Sequence, residues 1–363
     1  MKRFWEKFLR SVLEVFKPDG VSDIEHSNES TSEAGLDALA QKLNDLVASK
    51  KVPGIAIGSS GPRGPMHLHA AGSANLEQGK SIDPNRTLFR IASVSKPITA
   101  TVLARLVEDG RIALDSPLEQ YVPEYPHPGI TLGQLAAHTA GLRTYRGKEF
   151  ALNRPYTMLD SLEVFKEDPL LFLPGTGYQY NSFDFVLLAL AMERATGIPF
   201  ETLARELVFT PLGMTQTIAE DPGMPAESQA LPYTKRSRGF RPAVPVDNRY
   251  KLAGGGFIST VPDLLNFGQA LLRGNLVSQD ILNEFITAVE IDGQSTWYGL
   301  GWEVSQDPAG RPYYGHTGNS VGAYSIFRVY PEQEQTVAIL VNCSVSELHP
   351  QLETLLDDLL LKA

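Results

Sequence analysis

The positions of the strand patterns along the chain are the feature that most limits its fold. Runs rich in β-branched and aromatic residues occur near both ends of the sequence, whereas the middle is mostly helical in pattern. From residue 93 to about residue 288, apolar residues recur at helical spacing, with proline- and glycine-rich loops between the helices. Strands are predicted at residues 55–57, 66–71, 297–304, 324–330 and 336–342.

These patterns predict an α/β fold with one antiparallel sheet built from both ends of the chain and flanked by helices. The α/β part covers residues 36–92 and 290–363, and a mostly helical part, residues 93–289, is inserted between them. A first helix is expected to begin near Leu36, and a last helix is expected over 346–361. We expect the functional site in the cleft between the two parts.

Composition excludes several classes of protein. Hydrophobic residues make up 42% of the 363 residues, which is enough for a sizeable core and argues against disorder. The net charge of −10, from 32 Lys and Arg against 42 Asp and Glu, would repel phosphate, so we expect no nucleic-acid partner. Cys343 is the only cysteine, which excludes an internal disulfide and a zinc site built from several thiolates.

Residues 1–17 differ from the rest of the chain. Their apolar residues repeat at helical spacing beside five basic and two acidic residues, which predicts a basic amphipathic helix. Such a helix can make a peripheral contact with an anionic membrane or pack against protein, and both interpretations stay open. Residues 18–35 are acidic and polar, and they are expected to form a flexible linker to a folded domain at 36–363. Because no secretory signal is recognised, we expect a cytoplasmic or peripheral membrane location.

Ser93 and Lys96 form the first motif that can carry chemistry. They lie three residues apart in R-I-A-S-V-S-K, at a predicted helix start, and therefore share one helix face. A serine hydroxyl needs an adjacent base to act as a nucleophile. A lysine can be that base only when burial or the positive end of a helix favours its neutral form. Because most S-x-x-K pairs lie on surfaces, the motif is weak when it stands alone.

Two later segments strengthen this hypothesis. In G-Y-Q-Y-N-S, just before an apolar helical run, Tyr180 offers a phenol that can move protons beside Lys96. In G-H-T-G-N, on a predicted strand, His316 and Thr317 supply polar groups, and Gly318 lets a ligand approach the backbone closely.

In this order and spacing, the three segments resemble the motifs of the serine β-lactamase-like and penicillin-binding protein family, class C branch. That pattern is S-x-x-K, then Y-x-N, then K-T-G or H-T-G on a strand. Further similarity lies in 135–142 (LAAHTAGL) and 253–260 (AGGGFIST), and residues 152–175 and 246–260 are most similar to the mitochondrial serine β-lactamase-like peptidases of animals. The resemblance runs from about residue 36 to the C-terminus. It implies the β-lactamase/transpeptidase-like fold and a serine hydrolase that uses no cofactor and no metal.

The resemblance also implies roles for individual residues. Ser93 would be the nucleophile that forms an acyl-enzyme, and Lys96 and Tyr180 would share the base and acid roles. The backbone N–H groups of Ser93 and Asn319 would form the oxyanion hole. The residues expected to bind the substrate are Ser182, His316, Thr317 and Gly318.

Two positions depart from the family pattern. The third residue of Y-x-N is Ser182, and a serine can replace the contacts of an asparagine only in part. His316 stands where true β-lactamases usually have lysine, and an imidazole is mostly neutral at pH 7. Both changes disfavour efficient β-lactam hydrolysis. We therefore expect cleavage of small peptide amides first and of carboxylic esters second, with weak β-lactamase activity as a further alternative.

Other interpretations stay open beside this one. A membrane-apposed scaffold or filament protein of low activity would also explain the amphipathic start, and a homo-oligomer is compatible with either function. Ser320 lies in a G-x-S-x-G sequence, but a strand is predicted after it where a nucleophile elbow needs a helix. His138, in LAAHTAGL, is expected to support the site loop through hydrogen bonds.

Overall fold

Both ends of the folded part meet in one antiparallel sheet of seven strands, as predicted. A computed structural model describes residues 33–62, 66–223 and 228–360. The predicted amphipathic segment 1–17 lies outside these residues, as does the predicted linker up to residue 32, so the membrane contact of that segment stays a prediction.

The four late strands of the large sheet lie side by side, and the three early strands follow them. The strands, in chain order, are β1 (Gly54–Ser60), β2 (His67–Asn75), β3 (Lys80–Ser81), β4 (Phe89–Arg90), β5 (Ile218–Ala219), β6 (Tyr233–Arg236), β7 (Gly239–Pro242), β8 (Phe257–Ser259), β9 (Glu290–Ile291), β10 (Gln294–Ser295), β11 (Glu303–Gln306), β12 (Pro312–Ser320), β13 (Ala323–Tyr330) and β14 (Gln335–Val341). The large sheet has the order β11-β12-β13-β14-β1-β2-β3, and its neighbouring strands are antiparallel. The first strand of the chain therefore pairs with the last, which ties the two ends of the fold together.

The central strands β1 and β14 are buried on both faces, which explains their nearly unbroken apolar sequences. Side chains of a strand alternate between its two faces. Ile55 and Ile57 of β1 accordingly join one core cluster, and Ala56 between them joins another. On β14, Ile339 joins the same cluster as Ile55 and Ile57, and Leu340 joins the cluster of Ala56. The sheet thus separates two hydrophobic cores.

Helices cover both faces of the sheet. They are α1 (Glu33–Ala48), α2 (Ser95–Glu108), α3 (Leu132–Ala136), α4 (Phe183–Thr196), α5 (Phe200–Ala204), α6 (Leu252–Gly255), α7 (Val261–Leu272), α8 (Gln279–Phe285) and α9 (His349–Leu360). Short 3₁₀ turns lie at Ala92–Val94, Leu118–Gln120, Glu149–Ala151, Asp160–Val164, Asn248–Lys251 and Ser346–Leu348, and a π turn lies at Arg205–Phe209. α1 and α9 pack on one face through leucines at helical spacing, such as Leu39, Leu43, Leu352 and Leu356. α7 and the inserted helical part cover the other face. Within the described ranges, no helix is long and apolar enough to cross a membrane.

The strand predicted at residues 297–304 is wrong for most of its length. β11 begins only at Glu303, because Trp297 has a φ of 58° and Gly301 has a φ of 87°, and neither value fits extended backbone. Gly301 also lies so close to α2 that an added Cβ would be 2.5 Å from the Cβ of Ala100. The apolar residues of this segment therefore fill a packed loop.

Small sheets inside the helical part were not predicted. β4, β8 and β5 form a three-stranded sheet, and the backbone N–H of Ile91, just after β4, donates to the carbonyl of Phe257 at 3.2 Å. β6 and β7 form a hairpin in which Thr234 lies opposite Arg241. β9 and β10 form a further pair. The three-stranded sheet fixes the backbone that leads directly to Ser93.

A buried ion pair joins the large sheet to α9. The guanidinium of Arg328 on β13 makes two hydrogen bonds to the carboxylate of Glu353, and it lies 4.0 Å from the centroid of the Tyr313 ring. The imidazole of His349 lies 2.9 Å from the same carboxylate. Although burial alone would raise it, hydrogen bonds from His349 and Arg328 lower the pKa of Glu353 to about 2.

Replacing Glu353 with glutamine is expected to destabilise the fold, because it leaves the buried Arg328 cation without its counter-charge. We expect a loss of about 3 kcal/mol in the free energy of unfolding at pH 7, measured by urea denaturation followed by circular dichroism. Since the folded pKa lies below the ordinary value of 4.5, the stabilisation by Glu353 is present above pH 4.5 and is lost as the pH falls toward 2. The difference between wild type and Glu353→Gln should therefore shrink over that interval. Glu347→Gln, at an exposed ion pair, is the control and should change little; equal effects of both variants would contradict the prediction.

Candidate active site

Ser93 lies in a short turn between the sheet and the helical part. The prediction placed it at the start of an α-helix, but the structure places it in the 3₁₀ turn Ala92–Val94, directly before α2. Ala92 has a φ of 48°, a conformation that a residue with a side chain seldom adopts. The turn is held from outside, because the Ser325 hydroxyl donates to the carbonyl of Ile91 at 2.7 Å. Ser93 is therefore presented on a fixed backbone.

Gly318 on β12 allows this turn to pack directly against the sheet. An added Cβ there would lie 2.2 Å from the Ser325 hydroxyl and 2.4 Å from the Ile91 carbonyl oxygen. The glycine is thus required by contact with the turn that carries the nucleophile. It is not among the residues that line the cleft; the geometry shows its packing role, and its contact with substrate stays a prediction.

Lys96 lies on the first turn of α2, buried beside Ser93. Its Nζ is 3.2 Å from the Ser93 Oγ, 3.4 Å from the Ser182 Oγ and 2.9 Å from the Gly254 carbonyl oxygen. All three partners are uncharged. Burial, followed by the nearby Lys251 cation, lowers the pKa of Lys96 to about 7, against weaker opposing effects of Glu303 and Asp184. A substantial fraction of this amine is therefore neutral at physiological pH and able to accept a proton.

Tyr180 and Ser182 approach Lys96 from the loop that precedes α4. The Nζ of Lys96 lies 4.7 Å from the centroid of the Tyr180 ring. Burial raises the pKa of Tyr180 well above its ordinary value, so the phenol keeps its proton. The structure thus brings together four of the predicted residues: Ser93, Lys96, Tyr180 and Ser182.

A buried polar group behind Tyr180 fixes this loop. The Asp184 carboxyl lies 2.8 Å from the His138 Nδ1 and accepts a hydrogen bond from the Asn181 amide at 2.7 Å. The Asn181 side chain in turn accepts from the Asp184 backbone N–H at 2.8 Å, which caps α4. The His138 ring packs against the Tyr180 ring at 4.7 Å. His138 therefore has the supporting role that the sequence predicted.

His316 lies behind the cleft and does not line it. Its Nδ1–H donates to the Thr317 carbonyl at 2.7 Å, and its Nε2 lies 3.0 Å from the Tyr298 hydroxyl. Burial lowers the pKa of His316 to about 3, so the imidazole is neutral. The Thr317 side chain is also engaged, since its hydroxyl donates to Glu303 at 3.2 Å. Neither residue is among those that line the cleft, and their contact with substrate stays a prediction.

The cleft has a volume of about 580 Å³ and contains Ser93 and Asn319, the two predicted oxyanion-hole residues. Its polar lining consists of Ser93, Thr144, Tyr145, Tyr180, Asn181, Ser182, Thr234, Arg236, Arg241, Lys251, Asn319, Ser320 and Ser344. Apolar side chains come mainly from Phe150 and Val244. The cleft thus offers a hydroxyl nucleophile, a candidate base and backbone donors in one space.

Lys251 is a site residue that the sequence analysis missed. It is buried, its Nζ donates to the Phe150 carbonyl at 2.6 Å, and it faces the rings of Tyr145 and Tyr250 at 5.3 and 5.2 Å. Burial, then the Arg90 charge, lowers its pKa to about 7. Its position two residues before the segment AGGGFIST was the available signal, since that segment lies against the Ser93 turn.

Two other interpretations of the sequence can be compared with this geometry. Ser320 ends β12 and β13 follows it in a hairpin, so the strand-to-helix turn of a nucleophile elbow is absent at this serine. Across the described residues, no group of three or more His, Cys, Asp or Glu side chains is arranged to hold a metal ion.

Comparison with known proteins agrees with this arrangement. The family profile described as Beta-lactamase matches residues 39–361. The chain belongs to the Beta-lactamase family. The serine beta-lactamase-like protein LACTB, mitochondrial, of Homo sapiens is 28% identical over 83% of this chain and 72% of its own length. Penicillin-binding protein 4* of Bacillus subtilis is 26% identical over 76% of this chain and 65% of its own length.

Solved structures show the same fold. The D-amino acid amidase of Ochrobactrum anthropi has a TM-score of 0.81 at 22% identity, covering 90% of this chain and 99% of that one. The D-stereospecific amidohydrolase of Streptomyces sp. has a TM-score of 0.72 at 28% identity, covering 85% of this chain and 94% of that one. The predicted β-lactamase/transpeptidase-like fold is confirmed, and so is the predicted class, a serine hydrolase of the Beta-lactamase family.

Lys251→Met is expected to make Lys96 harder to deprotonate, because it removes the neighbouring charge that helps to lower the pKa of Lys96. The reaction of Ser93 with an alkyl fluorophosphonate, followed by intact mass, should rise with pH through about 7 in the wild type. In the variant this rise should move to higher pH by about half a unit, which makes labelling about threefold slower below pH 7. Lys42→Met, which removes a surface charge on α1, is the control. A shift to lower pH, or the same shift in both variants, would show that Lys251 does not act on Lys96.

Proposed function

We propose that the chain is a serine hydrolase in which Ser93 is acylated, with Lys96 as the base and Tyr180 as the group that protonates the leaving atom. The observation that carries this proposal is the buried Lys96 amine, 3.2 Å from the Ser93 Oγ, with only uncharged hydrogen-bond partners and a pKa of about 7.

Acylation begins with transfer of the Ser93 proton to the neutral Lys96 amine while Oγ forms a bond to the substrate carbonyl carbon. The carbonyl oxygen becomes an oxyanion, and we assign its stabilisation to the backbone N–H groups of Ser93 and Asn319, which both line the cleft. Because Tyr180 is a neutral phenol, it serves as a proton donor and not as the base that activates Ser93.

Collapse of the tetrahedral intermediate breaks the bond between the carbonyl carbon and the leaving nitrogen or oxygen. The leaving atom takes the Tyr180 proton, and the Lys96 ammonium returns its extra proton to Tyr180, so both residues regain their starting states. Water then attacks the acyl-Ser93 ester by the reverse sequence, giving the free acid and the Ser93 hydroxyl.

We propose peptide amides as the first substrate class and carboxylic esters as the second. Two of the structural relatives are named as hydrolases of amides, an amidase and an amidohydrolase, which supports amide cleavage in this scaffold. Esters should react through the same acyl-enzyme. A neutral, buried His316 offers no permanent charge to a β-lactam carboxylate, so β-lactam hydrolysis is expected to be slow.

Ser93→Ala should abolish turnover, because it removes the atom that is acylated. The measurement uses a pool of fluorogenic peptides, a short-chain 4-nitrophenyl ester and a chromogenic cephalosporin, with intact mass recorded after each incubation. We expect kcat/KM on a reactive substrate to fall by about a thousandfold or more.

Ser320→Ala is the matched control, because Ser320 also lines the cleft and stands in the G-x-S-x-G sequence. It should keep turnover within a fewfold of wild type. Activity that survives Ser93→Ala but is lost in Ser320→Ala would mean that Ser320, and not Ser93, is the nucleophile. If the wild-type protein gives neither turnover nor an adduct with any of the three reagents, the proposed function is wrong.

A further inference from the structure

The cleft has a cationic wall although the chain as a whole is acidic. Arg236, Arg241 and Lys251 line it, and no Asp or Glu is among its described lining residues. The chain carries 42 acidic residues against 32 basic ones, so an acid-free lining is the opposite of its average surface. Two of these three basic residues, the arginines, lie on the hairpin β6–β7 at the edge of the cleft.

The two hairpin arginines carry unbalanced charge. Neither Arg236 nor Arg241 makes an ion pair or side-chain hydrogen bond with any residue in the described part of the chain. By contrast, the partly buried Arg143 is paired with Glu149 and Asp168 elsewhere in the helical part. Both hairpin guanidinium groups are exposed and therefore able to form two hydrogen bonds each to a carboxylate that enters the cleft.

The hairpin is fixed to the sheet, so the position of these arginines is defined. The Tyr233 backbone N–H donates to the Asn342 carbonyl at 2.9 Å, and the Tyr233 hydroxyl donates to Glu77 at 2.6 Å. The base of the hairpin also packs on the turn between β12 and β13, where a Cβ on Gly322 would lie 2.3 Å from Pro232. The arginines therefore stand at the end of β12 that follows Asn319.

This placement assigns the arginines to one side of the bond that is cleaved. Tyr180, which protonates the leaving group, lies toward the opposite part of β12, with its ring 5.9 Å from the ring of His316. The proposed mechanism holds the carbonyl oxygen at Ser93 and Asn319 and directs the leaving group to Tyr180. The acyl group must then extend in the other direction, past Ser320 and toward the hairpin.

We propose that Arg236 and Arg241 are specificity-determining residues that select substrates with a carboxylate on the acyl side of the scissile bond. The assignment of sides rests on the proposed function, whereas the preference for an anion in the cleft does not. An acidic acyl residue, such as glutamate joined through its α-carbonyl to the leaving group, has the required chemistry. Lys251, deeper in the cleft, adds to this positive field in its protonated form, which is a fraction of the population because its pKa is lowered to about 7.

The test compares acetyl-glutamate 4-nitroanilide with acetyl-glutamine 4-nitroanilide, each in both enantiomers, because the two differ only in the charge of the side chain. Binding is measured by isothermal titration calorimetry on Ser93→Ala, so that turnover is not needed. We expect the better glutamate enantiomer to bind about tenfold or more tightly than its glutamine counterpart in low salt. This ratio should fall in 0.5 M NaCl (roughly a 4 Å screening length).

Adding Arg236→Gln and Arg241→Gln together should bring the ratio close to one, while binding of the glutamine ligand stays the same. Arg238→Gln is the matched control, since Arg238 lies on the tip between β6 and β7 and does not line the cleft. Equal or undetectable binding of the two ligands to Ser93→Ala would overturn the proposal, and so would a preference that survives the double variant.

Two further outcomes separate this inference from the proposed function. If Ser93→Ala prefers the glutamate ligand but the wild-type protein neither cleaves it nor forms an adduct, the proposed function fails and the anion preference stands. If acetyl-glutamine 3-carboxy-4-nitroanilide, with its charge on the leaving group, gains as much affinity as the glutamate ligand and loses it in the double variant, the acyl-side assignment is wrong.

Discussion

The burial of one lysine amine beside one serine hydroxyl is the interaction on which the chemistry of this chain depends. A lysine in water holds its proton at pH 7 and cannot act as a base. Around Lys96 the fold removes water and supplies only uncharged partners: the Ser93 and Ser182 hydroxyls and the Gly254 carbonyl. No carboxylate is among its hydrogen-bond partners, and the positive charge of Lys251 further lowers the pKa of Lys96. The free-energy cost of burying this group appears as a lowered pKa, which is the property that a general base requires.

The architecture explains how such a costly arrangement is held in place. The Ser93 turn is tied to β8 through Ile91 and to β13 through Ser325, and Gly318 permits direct contact between the turn and the sheet. Before and within α4, the hydrogen bond between Asp184 and His138 fixes the Tyr180 loop. Because β1 pairs with β14, the two ends of the chain together form the rigid body against which the helical part is positioned.

Much of the fold and of the site could be predicted from the sequence, and each feature that could not has a physical reason. Alternating and apolar runs predicted β1, β13 and β14, and the order of three short motifs predicted that Ser93, Lys96 and Tyr180 would meet. The predicted strand at 297–304 failed because Trp297 and Gly301 adopt positive φ, which apolar patterning does not reveal. His316 was expected on the strand along which the substrate lies; it is on that strand, but its ring is buried and turns toward Tyr298, since strand alternation gives a face but not the depth of burial. Lys251 and the hairpin arginines were missed because their role depends on contacts between segments far apart in sequence.

Burial lowers the pKa of Lys96 to about 7 and so gives Ser93 a base that is partly neutral near physiological pH. The most direct measurement is an NMR titration of the protein with lysine labelled with ¹³C at Cε, in which the Lys96 signal is assigned by comparison with Lys96→Arg. The buried Lys96 should give a signal that titrates at about pH 7 and is missing from the variant. A Lys96 signal that titrates near the ordinary value of 10.5 would mean that the amine is protonated at pH 7, and the assignment of Lys96 as the base that activates Ser93 would be wrong.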